Sequence, residues 1–227
     1  MSITKNTRSK EIKAILFDMD GVLVDSMAFH LKTWKELLEN FNIIVSDEFI
    51  YEHEGAMDPE IIVTLFGQHG YYPDPEEILQ IYQSQNKMFQ DKYLSQVCLY
   101  PDSLNLLQRL NRNGILLGLV TSSRRNLVKR IWQEKDLDLF KTIITADDIT
   151  RFKPFPDPYL KAMEELNQSS DTCLVIENAP AGILSANTAG ITCLAISSTL
   201  PADKLSAASR VFADLKSLNN FLTEVLF

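Results

Sequence analysis

Six short apolar runs, none of them alternating with polar residues, govern what this chain can become: "AILF" (14–17), "ILLGLV" (115–120), "TIIT" (142–145), "CLVI" (173–176), "ITCLAI" (191–196) and "RVFAD" (210–214). A strand that is apolar on both faces has to be covered on both, which is the condition inside a parallel sheet. Helical patterns lie between the runs. "PDSLNLLQRLNRNG" offers Asp102 as an N-cap, Leu104, Leu107 and Leu110 on one face and Gly114 as a stop, and "PDPYLKAMEELN" repeats the pattern with Tyr159, Leu160, Met163 and Leu166. Strands alternating with helices predict an α/β fold, a doubly wound parallel sheet.

Residues 27 to about 94 break that rhythm. "MAFHLKTWKELLENF", "MDPEIIVTLFGQHG" and "PEEILQIYQSQNKMFQDKYL" all read as amphipathic helices. An all-helical block placed after the first strand predicts a small inserted cap domain, 27–94, set into an α/β core of 1–26 and 95–227. The alternative is that these helices cover one face of the sheet. At 227 residues and 45% hydrophobic composition, either arrangement has enough apolar material for a real core.

Charge narrows the partners. Against 22 basic residues stand 30 acidic ones, a net charge of −8, which disfavours nucleic acid because phosphate backbones are bound by a surplus of Lys and Arg. A small phosphorylated ligand stays open, since screening limits distant charges to about 8–10 Å. Cys98, Cys173 and Cys193 are odd in number and widely spaced, as expected of reduced thiols in a cytoplasmic protein. "MSITKNTRSK" lacks the apolar segment of a signal peptide, and no apolar run approaches the roughly 20 residues of a membrane span. No membrane partner is expected, and with no long apolar stripe left unassigned the expectation is a monomer.

The chemistry gathers at strand ends. "AILFDMDGVLVDS" drives an apolar strand into Asp18, Asp20 and Asp25, a cluster of like charge that needs a cation or a shared proton between its members. In an open parallel sheet, ligands bind outside the carboxyl ends of the strands. Three further polar clusters follow strands in the same way: "TSSRR" (121–125), "RFKP" (151–154) and "ENAPAG" (177–182).

Together these segments resemble the haloacid dehalogenase superfamily of aspartate-nucleophile phosphotransferases, and within it the β-phosphoglucomutase-like subfamily. "FDMDGVLVDS" is the most specific piece, with "KPFPDPYL" and "IENAPAGILSANTAG" next. The resemblance implies that Asp18 is the nucleophile and Asp20 the general acid and base. It implies that Thr121 and the backbone near Ser122 receive phosphoryl oxygens, and that Lys153 neutralises them and ties down Asp18. Mg²⁺ would be held by Asp18, the backbone carbonyl of Asp20, and the Glu177–Asn178 pair. Asn178 stands where the common pattern has an Asp, which leaves open which of the two is the direct ligand. Ser123 reads as a helix cap as readily as a ligand contact, and Arg124 and Arg125 read as a solvated helix face.

The cap should choose the substrate. His30 and Trp34 share one helix face. Both are candidate ligand contacts with cap packing as the alternative, more strongly so for Trp34, and His30 is also a candidate gatekeeper touching Asp20. Glu54 and Gly55, in "HEGAMDPE" (53–60), are further candidates. A mutase of this subfamily holds a distal phosphate with a cap Arg, and the matching stretch here has no Arg or Lys. The expectation is therefore an Mg²⁺-dependent phosphatase acting on a small phosphorylated metabolite. A phosphosugar mutase is the alternative, and a non-catalytic sugar-phosphate-binding protein a more remote one.

Overall fold

A computed structural model describes residues 11–53 and 59–227. In chain order its elements are β1 (Ala14–Phe17), β2 (Val24–Asp25), α1 (Met27–Glu39), α2 (Asp47–His53), α3 (Pro59–Gln68), α4 (Pro75–Lys92), β3 (Cys98–Leu99), α5 (Ser103–Arg112), β4 (Leu116–Val120), α6 (Arg125–Ile131) and α7 (Glu134–Leu137). Then come β5 (Thr142–Ile144), α8 (Asp157–Leu166), β6 (Cys173–Glu177), α9 (Pro180–Thr188), β7 (Thr192–Ile196), β8 (Arg210–Phe212) and α10 (Leu215–Leu226). All six apolar runs are strands of one parallel sheet, in the order β5-β4-β1-β6-β7-β8. The fold is the doubly wound α/β sheet that the sequence predicts.

β1 shows why its four residues carry no polar alternation. Ile15 and Phe17 enter one apolar cluster, with Leu106, Leu107 and Leu110 of α5 and Leu218 and Leu222 of α10. Ala14 and Leu16 enter another on the opposite face, with Tyr159, Ala162 and Met163 of α8 and Ile183 and Ala186 of α9. Both faces of the strand are buried by helices. From β1 the chain builds outward through β4 and β5, then returns to lay β6 on the other side of β1. That reversal opens a crevice at the carboxyl end of β1, the position where such sheets take ligands.

Two expectations need correction. Leu160 is exposed, and Ala162 takes its place on the buried face of α8, because 159, 162, 163 and 166 follow the helical repeat from Tyr159 while 160 falls off it. Asp102 sits at the N-cap of α5 without a side-chain capping hydrogen bond, its backbone being already helical. Gly114 does end that helix region, at φ +80°. Cys173 and Cys193 are buried free thiols, and Cys98 is exposed.

The inserted helices have a core of their own. Trp34, Leu37 and Leu38 of α1, Ile50 of α2, Ile62, Leu65 and Phe66 of α3 and Ile78 and Ile81 of α4 form a cluster that contains no residue of the sheet. Asp74 starts α4 with a full capping box, accepting from the N–H groups of Glu76 and Glu77 while Glu77 accepts from the N–H of Asp74. The two crossings between helices and core pair with each other. Val24 faces Leu99 and Asp25 faces Cys98 in a short antiparallel ribbon that the sequence reading does not foresee. No described helix is long and apolar enough to cross a membrane.

Candidate active site

Sheet register assembles the centre. Phe17 pairs with Leu119 on one side and Ile176 on the other, so the next residues, Asp18, Val120 and Glu177, meet at the carboxyl edge. The Asp18 N–H still donates to Ile176 O at 2.9 Å, which anchors the carboxylate to the sheet. Beyond it the chain folds sharply back: Met19 O accepts from the N–H groups of Leu23 and Val24, each at 3.0 Å. Gly21, at φ +79°, makes the turn possible, and a side chain there would lie 2.1 Å from the Asn178 amide.

Lys153 ties the centre together. Its Nζ donates to Asp18 Oδ1 at 2.6 Å, to Glu177 Oε1 at 2.6 Å and to Val120 O at 3.1 Å, which uses all three ammonium donors. Glu177 is equally occupied. Oε1 also accepts from the Tyr159 hydroxyl at 2.8 Å, while Oε2 accepts from the N–H groups of Asn178 at 2.9 Å and Ala179 at 3.3 Å. A Cβ on Gly182 would sit 1.8 Å from Glu177 Oε1, so the glycine makes room for the carboxylate.

Asp20 lies beside this group with donors of its own. Ser26 Oγ donates to Oδ1 at 2.5 Å, Ser123 Oγ donates to Oδ2 at 3.0 Å, and His30 Nε2 stands 3.5 Å from Oδ1. His30 reaches over from α1, buried and stacked on Phe89 with ring centroids 4.1 Å apart. His30 therefore both packs in the cap, against Phe89, and faces Asp20. Thr121 is buried next to Val120, and its Oγ1 accepts from the Ser123 N–H at 3.0 Å, with Ser122 between them.

Other candidates fall away from the centre. Trp34 is buried in the cap cluster, edge-on to Tyr82, and this packing corrects its candidacy as a ligand contact. Glu54 and Gly55 lie outside the described residues. Arg124 pairs with Asp147 and Arg125 with Asp148, so these arginines brace one loop against another. Ser123 is not the helix cap, since α6 begins after Arg124.

Burial dominates the electrostatics. It pushes the Asp18 carboxyl up to about 7; Lys153 pulls the other way, and Glu177 and Asp20 add to the rise. Burial would raise Asp20 as well, but His30, Ser26 and Ser123 overcome it and hold that carboxyl below its ordinary value. Burial opposes the charge on Lys153, and its two carboxylates still raise its pKa. The two aspartates are pushed apart, as acid/base pairs require. The direction is the reverse of an ionised Asp18 beside a protonated Asp20, because Lys153 is shared with Glu177 and cannot offset the burial of Asp18 alone.

Among the described residues no group of three or more His, Cys, Asp or Glu side chains is set to hold a metal. A cation here has to draw on carbonyl and amide oxygens too. Asp18 Oδ2, the Asp20 carbonyl and the Asn178 amide supply an all-oxygen set with one carboxylate, which suits Mg²⁺. Asn178 is buried, and its Nδ2 has no hydrogen-bond partner. Rotating the amide by half a turn brings its oxygen to that unpartnered place. These residues fit the ion. Glu177, whose oxygens serve four donors here, stands beside Asn178 as the other candidate ligand.

A buried aspartate at the tip of the central strand, a second two residues on, and a lysine clamped between strand ends make a carboxylate-based centre at the edge of a parallel α/β sheet. The chain belongs to the haloacid dehalogenase-like hydrolases, whose family model matches residues 15–196, and it is an enzyme of that family. It is 29% identical over 219 residues to validoxylamine A 7'-phosphate phosphatase of Streptomyces hygroscopicus subspecies limoneus, covering 89% of this chain and 94% of that one. It is also 29% identical over 185 residues to the β-phosphoglucomutase of Bacillus subtilis, covering 79% and 81%. Among solved structures, a hydrolase from Pseudomonas syringae superposes with a TM-score of 0.82 at 26% identity, covering 95% of this chain and all of that one.

Ser26 and Tyr159 are the members that the sequence does not single out, and Ser123, weighed as a helix cap or a ligand contact, instead bonds Asp20. Serines are too common near turns to stand out. Tyr159 carried a signal, since a tyrosine on an otherwise aliphatic helix face brings a hydroxyl that needs a partner.

Proposed function

We propose that this phosphoric monoester hydrolase is an Mg²⁺-dependent phosphatase acting on a small phosphorylated metabolite, with sugar phosphates the first class to test, through an aspartyl-phosphate on Asp18. One observation carries the reading: Asp18 is fixed at the β1 tip with Lys153 Nζ 2.6 Å from one oxygen. Asp18 attacks phosphorus along the line of the departing oxygen, and Lys153 meets the charge on the transferring oxygens. Asp18, the Asp20 carbonyl and Asn178 or Glu177 would hold Mg²⁺, whose positive charge would favour the ionised nucleophile. A phosphoryl dianion next to Asp20 raises that carboxyl towards its protonated form, so Asp20 donates a proton to the leaving oxygen. It then accepts one from the water that opens the acyl phosphate. Thr121 and the backbone at Ser122 receive the remaining phosphoryl oxygens. Residues 27–94 act as a cap over the core of 1–26 and 95–227, and His30 joins the cap to Asp20.

Hydrolysis is favoured over transfer because residues 53–60 contain no Lys or Arg to hold a second phosphate. The likeness to β-phosphoglucomutase supports the mutase reading as the competitor. Phosphate release from a panel of monoesters with Mg²⁺ tests the proposal, with Asp18→Asn as the control. Release no greater than the control from every monoester rejects it. Glucose 6-phosphate formed from β-glucose 1-phosphate in a coupled assay gives the mutase instead.

A further inference from the structure

Resting on the phosphoryl-transfer reading above, we propose that Tyr159 is a positioning residue for Lys153, acting through the Glu177 oxygen that both of them use. Tyr159 is fully buried on α8 among aliphatic side chains, where a phenylalanine ring would pack as well. The hydroxyl is what calls for an explanation. It donates to Glu177 Oε1 at 2.8 Å, the same atom that accepts from Lys153 Nζ at 2.6 Å. Lys153 is held from the other side by Asp18 Oδ1, also at 2.6 Å. The ammonium position is therefore a balance between two buried carboxylates.

The hydroxyl tips that balance. By occupying a lone pair of Oε1 it withdraws part of the charge with which Glu177 holds the ammonium, leaving Nζ to the Asp18 side, where phosphoryl oxygens arrive. The Tyr159 ring also turns towards the same cation, with Nζ 5.2 Å from its centroid. Without the hydroxyl, Glu177 draws Nζ back from the nucleophile. Since charge on the transferring group grows in the transition state, the loss falls on kcat and not on KM.

The test compares wild type, Tyr159→Phe, Glu177→Gln and the double variant with Mg²⁺, using p-nitrophenyl phosphate, inorganic phosphate and orthovanadate. In Tyr159→Phe, kcat falls about tenfold, the scale of one hydrogen bond to a charged group, while KM stays within about twofold. Orthovanadate, which imitates the five-coordinate transition state, binds more weakly by the same factor, and inorganic phosphate does not. In the Glu177→Gln background, the Tyr159 change has no further effect. Wild-type kcat in Tyr159→Phe, an effect on KM alone, or a full additional loss in the double variant overturns the proposal. If Glu177→Gln does not fold, the kcat and orthovanadate comparison decides alone. A wild type with no more turnover than Asp18→Asn rejects the phosphatase reading, and calorimetric orthovanadate affinity then decides for Tyr159, with equal values in wild type and Tyr159→Phe overturning its role.

Discussion

At Asp18 the penalty for burying a carboxylate meets a lysine that has to serve a second acid as well. Its carboxyl, raised to about 7, is protonated below that pH in the metal-free protein, so the proposed nucleophile is lost as pH falls through 7. Bound Mg²⁺ favours the ionised form. The acid limb of the pH–rate profile is expected near 7 at limiting Mg²⁺ and at lower pH when the ion is saturating, which profiles at two Mg²⁺ concentrations measure. On the proposed metal set, Asn178 would govern the affinity of the same ion. Asn178→Asp adds a charged oxygen and is expected to tighten Mg²⁺ binding about tenfold, read by calorimetry without substrate. Asp18, Asp20 and Lys153 were legible in the sequence because they sit in contiguous motifs beside strands. The hydrogen bonds of Ser26 and Ser123 to Asp20 were not, since they join segments up to 103 positions apart and depend on how α1 and the β4 loop converge.

Among the elements, β6 and α9 are coupled by a single missing methyl group. Gly182→Ala would set a carbon 1.8 Å from Glu177 Oε1, so Glu177 and the Lys153 it holds must shift. Activity is expected to fall at least about 100-fold, as when a charge-stabilising donor is lost, with the secondary structure kept in circular dichroism. In the helical insert, Asp74→Ala removes the acceptor for two N–H groups at the head of α4 and is expected to cost about 1 kcal/mol in urea unfolding. The six sheet strands were legible because uninterrupted apolar runs have few other uses. The paired segments Val24–Asp25 and Cys98–Leu99 were not, because two residues cannot display a period. Helix α2, "DEFIYEH", was missed for the same reason, being barely two turns long.

Over the whole molecule, the helical insert and the core also meet through an exposed ionic contact. Lys204, just after β7 in the core, reaches Glu52 at 2.6 Å and Glu48 at 2.9 Å on α2. Exposed pairs of this kind contribute little to folding. Lys204→Ala is expected to change unfolding free energy by less than about 1 kcal/mol while raising the radius of gyration in small-angle scattering, the mark of a more open insert. The run of helices after the first strand was legible from its periodicity, whereas its seat on the core depends on long-range contacts with no local pattern. The two chain crossings lie side by side and are hydrogen-bonded as one ribbon. To the sheet, a segment of nearly seventy residues is therefore a detour that leaves and returns at a single spot. A lineage could trade one such detour for another, and with it one clientele for another, without moving a strand of the machinery beneath.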